Sequence, residues 1–125
     1  MNRKILRTIA VVSAVLFMAA MSEAALKVVG KDATASFDTS GFPAARQEGM
    51  KLMVEKCNNT KCHTMQYAVD AIKNGIAPIT KSPFDKAAAR AYGLKMMRRP
   101  DSGIDKNQAK IIVDTIFFLL EENAK

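Results

Sequence analysis

Much of what usually carries chemistry is scarce in this 125-residue chain, which has one histidine, two cysteines and no tryptophan. No second cysteine pair or further histidine exists to close a four-ligand structural zinc site. No alternating apolar–polar run and no hairpin dipeptide announces a strand. There are no internal repeats and no low-complexity tract. Basic residues are interspersed with acidic ones, without a dense basic run carrying aromatics, so nucleic acid is not an expected partner.

Long apolar runs are also lacking. The one candidate, Ile9 to Met21, has 13 uncharged residues, whereas a helix needs about 20 to span a hydrocarbon core. Arg3, Lys4 and Arg7 precede it and the small residues of "SEAA" follow, the layout of a cleaved export signal. No cysteine follows for lipid attachment. Residues 1–24 are therefore expected to be a signal peptide, and the mature chain to be periplasmic with no integral membrane span. Removing Arg3, Lys4, Arg7 and Glu23 from 19 basic and 12 acidic residues leaves 16 and 11, a net charge of +5. That balance favours an acidic partner or surface.

About 100 residues remain, enough for one small domain with a modest core. Residues 25–41 are polar, small and aperiodic, and are expected to form a flexible N-terminal arm. The domain proper is expected over 42–125. A first helix begins at Pro43 and runs toward Cys57. A second, from Thr64, carries Met65, Ala68, Val69 and Ile72 on one face and stops at Asn74-Gly75. A third opens at "SPFD", with Ser82 as N-cap and Pro83 in the first helical position, and ends before Pro100. A fourth opens at Asp105, with Gln108 at capping-box spacing, and continues to about Glu122. The expected class is all-α, three to four short helices, whose thin core would gain from an internal template.

The scarce residues are all in one place: "CNNTKCH", Cys57 to His63, holds both cysteines and the histidine. In an oxidising compartment Cys57 and Cys62 can form a disulfide beside an incidental histidine. Two thiolates and an imidazole can also bind a metal, but as three ligands only. A thiol–disulfide redox site normally uses Cys-x-x-Cys beside a βαβ unit, and strands are absent. A third chemistry is covalent haem. Two thiols add to the porphyrin vinyl groups, and a histidine directly after the second cysteine ligates the iron through Nε2. The usual spacing is Cys-x-x-Cys-His; here it is two residues longer, across a polar, turn-compatible "NNTK".

At these residues the chain resembles the small exported single-haem c-type cytochromes, from about Gly41 to the C-terminus. "GMKLMVEKC" is similar to the helix that enters the first cysteine in that family, with Gly49 eight residues and Met53 four residues before Cys57. "LKMMRRPDSGI" looks like the family's distal segment, a methionine before a Pro-x-Ser-Gly-Ile turn. The helix from Asp105 is similar to the closing helix that crosses the first one. The departures are the wider cysteine spacing, which some multi-haem cytochromes share, and Met53 where an aromatic is common.

The resemblance implies a cytochrome c-like fold around one covalently attached haem c, anchored by Cys57 and Cys62. With the sole histidine proximal, the distal candidates are methionine, lysine or nothing. Helix geometry says only that Met96 and Met97 cannot both face the iron, since neighbours in a helix point about 100° apart. The resemblance implies His63 as proximal and Met96 as distal iron ligand. It further implies an electron carrier and not an enzyme, a monomer meeting redox partner proteins by transient contact. The alternatives are a haem subunit or dedicated electron acceptor of a periplasmic oxidoreductase complex, and a five-coordinate gas-binding or peroxidase-like haem protein. Pro78 falls where the family offers a carbonyl to the proximal imidazole. Phe84, Tyr92, Leu94, Ile104, Ile112 and Ile116 are candidate wall residues. Met50, Met53 and Met65 are expected to fill the core. Tyr67 and Tyr92 are expected as half-buried packing, and the cations from Lys95 to Arg99 as a solvated helix end or a steering ring.

Overall fold

The structure, a computed structural model, describes residues 25–58 and 63–125. The expected signal peptide, and Cys62 with the preceding residues 59–61, lie outside the described residues. What is described is mostly helical: α1 (Ala44–Cys57), α2 (Met65–Asn74), α3 (Lys86–Met97) and α4 (Lys106–Asn123), joined by one small sheet. Among the described residues no helix is long and apolar enough to cross a membrane.

α4 is the axle. Its capping box is complete, Gln108 N donating to Asp105 Oδ1 at 2.8 Å and Asp105 N to Gln108 Oε1 at 3.0 Å. Ala109, Ile112, Thr115, Ile116 and Leu119 recur at helical spacing and are buried. The helix packs against each of the other three. Against α1 it comes so close at Gly49 that a Cβ there would lie 2.0 Å from Thr115 Oγ1. Against α3 it comes close at Gly93, where a Cβ would lie 2.5 Å from Val113 Cγ2. Two glycines thus let the Thr115 and Val113 side chains of α4 pack directly onto the backbones of α1 and α3.

The other helix ends follow their sequence signals with one exception. Pro43 precedes the first residue of α1, and Gly75 closes α2 in the left-handed conformation at φ 66°, its amide bonded to Ala71 O. The start of α3 lies later than the "SPFD" motif indicates. Asp85 is the N-cap, accepting from Ala88 N at 2.9 Å, and Ser82 and Pro83 fold back instead. Ala77 N donates to Ser82 O, and Phe84 N to Gly75 O, so residues 75–84 form a closed loop with Pro78 and Ile79 near its tip. Two capping signals lie within four residues, and the carboxylate wins because Pro83 takes part in the bridge to Ile76.

Residues 25–41 are not the loose arm their composition implied. β1 (Val28–Val29) and β2 (Ser36–Phe37) pair antiparallel, with a 3₁₀ turn, Asp32–Thr34, between them. Leu26, Ala35 and Phe37 enter the core. Lys73 Nζ reaches Leu26 O at 3.1 Å, and Asp32 N donates to Gln66 Oε1 at 3.0 Å, so the segment is strapped along α2.

Candidate functional site

Three elements converge beside the packed helices. α1 ends in Cys57, whose buried face continues Met50 and Met53 back toward the Gly49 contact. α2 presents two faces. Met65, Val69 and Ile72 are buried in the core, while Tyr67, Ala68 and Ala71 turn toward an open space. α3, set against α4 by Gly93, presents Tyr92 and Met96, four residues apart and hence on one side of the helix.

The space comprises two adjoining cavities of about 110 and about 430 Å³. Their combined size falls in the range of small-molecule and cofactor sites, about 300–1,000 Å³. Cys57, His63, Ile79, Tyr92 and Met96 line both. The inner chamber is apolar, walled by Ala68, Ala71, Ala77, Phe84 and Ile116. The outer chamber adds the cations Lys56, Lys95 and Arg99, with Asp101, Ser102 and Ile104 from the turn after α3. One compartment favours an apolar body and the other an anionic edge.

The imidazole of His63 is half-buried, its Nδ1 3.1 Å from Thr64 O. A nitrogen at that distance from a carbonyl oxygen carries the proton, which leaves the Nε2 lone pair available to a ligand. Tyr67 lies alongside, ring centroids 5.6 Å apart. Cys57 is a free thiol, and burial pushes its pKa up to about 11. At neutral pH it is therefore a protonated, apolar-lying sulfur and not a reactive thiolate. Tyr92 Oη is 3.3 Å from Thr80 Oγ1, which ties α3 to the 75–84 loop.

Of the sequence-predicted residues, the structure brings Cys57, His63 and Met96 to one cavity; Cys62 is outside the described residues. Met97 packs against the core and lines neither chamber. Pro78 lines the inner chamber, but the imidazole Nδ1 bonds to Thr64 O instead of its carbonyl. Of the candidate wall residues, Phe84, Tyr92, Ile104 and Ile116 line one or both chambers. Ile112 is in the core, and Leu94 is exposed on α3. Sequence reading missed Ala71, Ala77 and Ile79. Ile79 is 71% exposed yet forms part of both chambers. The alanines carried a signal in retrospect: small residues at Ala68 and Ala71, three apart on α2, mark where the helix makes room.

Among the described residues, a thiol at the end of α1, an imidazole just before α2 with its Nδ1 on a carbonyl, and a thioether from α3 share this apolar-walled space with its cationic mouth. These are donors of the kinds that can hold a haem. No protein-family model, curated protein or solved structure matches the chain. The likeness to c-type cytochromes therefore rests on the residues themselves.

Proposed function

We propose that the protein is an exported single-haem electron carrier with a cytochrome c-like fold. One observation supports it above the others: Met96, far along the chain on another helix, borders the same apolar-walled space as Cys57 and His63. Cys57 and Cys62 would anchor the porphyrin through thioether bonds. His63 and Met96 would hold the iron, and bound there the group supplies a one-electron couple.

The chain's own residues set the terms of that chemistry. The Thr64 carbonyl fixes the His63 tautomer and ring direction, leaving Nε2 for coordination. The Met96 thioether, a soft neutral donor, favours the reduced state. With both His63 and Met96 holding the iron, no open site would remain for oxygen or peroxide, which argues against the gas-binding and peroxidase readings. Phe84, Ile116 and the alanines of α2 give the inner chamber apolar walls that disfavour water. Lys56, Lys95 and Arg99 keep one edge cationic, suited to brief encounters with acidic redox partners, whether freely diffusing or a subunit of an oxidoreductase complex.

Optical spectra of the haem-loaded protein test the reading. The reduced protein is expected to be low-spin and to resist carbon monoxide; Met96→Ala should bind it readily, while Met97→Ala should behave as the parent. Carbon monoxide binding by the parent protein would refute the six-coordinate assignment.

A further inference from the structure

Asn58 follows Cys57 directly, and its side-chain amide is bonded in three directions. Nδ2 donates to Val54 O at 3.0 Å and to Ala33 O at 2.8 Å, and Oδ1 accepts from Met65 N at 2.7 Å. The amide can face only this way, since both neighbours of Nδ2 are carbonyls and the neighbour of Oδ1 is an N–H. Val54 O lies in the last turn of α1, where carbonyls lose their helical partners, and Met65 N is the first amide of α2, where donors do. Thr64, the N-cap of α2, makes no side-chain cap bond. α1 ends without glycine, at Asn58 itself with φ −94° and ψ 76°. A single side chain thus caps the end of one helix and the start of the next, and its third bond holds the 3₁₀ turn of the N-terminal segment across them.

We propose that Asn58 is the positioning residue for His63. By fastening the end of α1 to the start of α2, it fixes the distance between Cys57 and the histidine six positions later. It also fixes Thr64, whose carbonyl aims the imidazole. The longer cysteine spacing demands such a brace, because more chain between two anchored groups means more freedom to be removed. Gln66, bonded to Asp32 N and to Asp70, straps the same region by an independent route. The functional meaning of this brace rests on the haem reading. The brace itself does not.

His63 is the only histidine in the chain, so its ring proton is identified in a ¹⁵N-labelled NMR spectrum of the purified full chain without assignment. The readout is the exchange of the Nδ1 proton with solvent, measurable with or without porphyrin attached. Asn58→Ala is expected to speed that exchange about tenfold, the equivalent of one lost hydrogen bond, or to abolish the signal. Asn58→Asp keeps an acceptor for Met65 N but sets a carboxylate against the Val54 and Ala33 carbonyls, so it should also speed the exchange. Gln66→Ala, which leaves Asn58 untouched, should stay near the parent rate. A proton as well protected in Asn58→Ala or Asn58→Asp as in the parent overturns the proposal. Should Asn58→Ala not fold by circular dichroism, Asn58→Asp alone decides: faster exchange supports the brace and parent-like exchange overturns it. A colourless parent protein refutes the haem reading while leaving this comparison of ring protons intact.

Discussion

The two sides of this molecule solve opposite problems. Where α4 meets α1 and α3, glycines at positions 49 and 93 let side chains of α4 pack onto the facing backbones and leave no room even for a methyl group. Where α1, α2 and α3 face outward, Ala68, Ala71 and the 75–84 loop do the reverse and surround space. Both sides use small residues. On the packed side the partner is another helix, and the small residue is a contact; on the open side none of the described residues fills the gap. A small helical domain has little core to spare, so a preserved cavity is a cost that a bound group is suited to offset.

The packed side should be the one that breaks. Leu119 is completely buried near the C-terminal end of α4, and Leu119→Ala is expected to lower stability by about 2–5 kcal/mol in a denaturant titration. A loss below about 1 kcal/mol would mean that α4 is not the axle.

Cys57 joins the two sides, and its buried thiol makes a pH-dependent test. Burial raises its folded pKa to about 11, above the 9.0 of an exposed thiol. Between those values the folded chain keeps a proton that the unfolded chain loses, so this contribution is present below pH 9 and lost as pH rises toward 11. In the thiol form the alkaline loss should be on the order of 2–3 kcal/mol greater than in Cys57→Ala. Once the sulfur is in a thioether the difference should vanish. Denaturant midpoints across that range check both arms.

Gly49→Ala probes the closest helix contact. The new methyl meets Thr115 Oγ1, and overpacking of this kind costs about 1–3 kcal/mol. Thr115→Ala should recover part of it, because the methyl then faces a Cβ 3.2 Å away. The double-mutant cycle should therefore be non-additive, and additivity would place the strain elsewhere.

The smallest effect on stability belongs to the open side. Ile79→Ser should change stability by less than about 0.5 kcal/mol, since the residue is largely exposed. In the haem-loaded protein it should still lower the reduction potential, by admitting water to both chambers. A large stability loss with an unchanged potential would reverse the distinction between the sides.

How legible each side was follows from the range of its interactions. Helix ends were readable where the signal is local: Gly75 as a left-handed cap, Asp105 with Gln108 as a capping box. Residues 25–41 were not, because two-residue strands and a single 3₁₀ turn have no period to detect. Their burial runs through Leu26, Ala35 and Phe37, at irregular spacing. In the candidate site, Cys57, His63 and Met96 stood out by their chemistry. Ala71, Ala77 and Ile79 did not, because a void is defined by what its walls lack. Asn58 read as turn filler within "NNTK"; its bonds to Ala33 and Met65 are made only once the chain has folded.

The central claim is that one porphyrin is joined to this polypeptide by two sulfurs. Intact-mass spectrometry of the denatured, exported protein, paired with a pyridine haemochrome spectrum, tests it most directly. The account predicts one haem per chain that survives denaturation and acid–organic extraction, and a Cys57→Ala, Cys62→Ala double variant that carries none. A colourless parent protein with Cys57 and Cys62 joined to each other would contradict it.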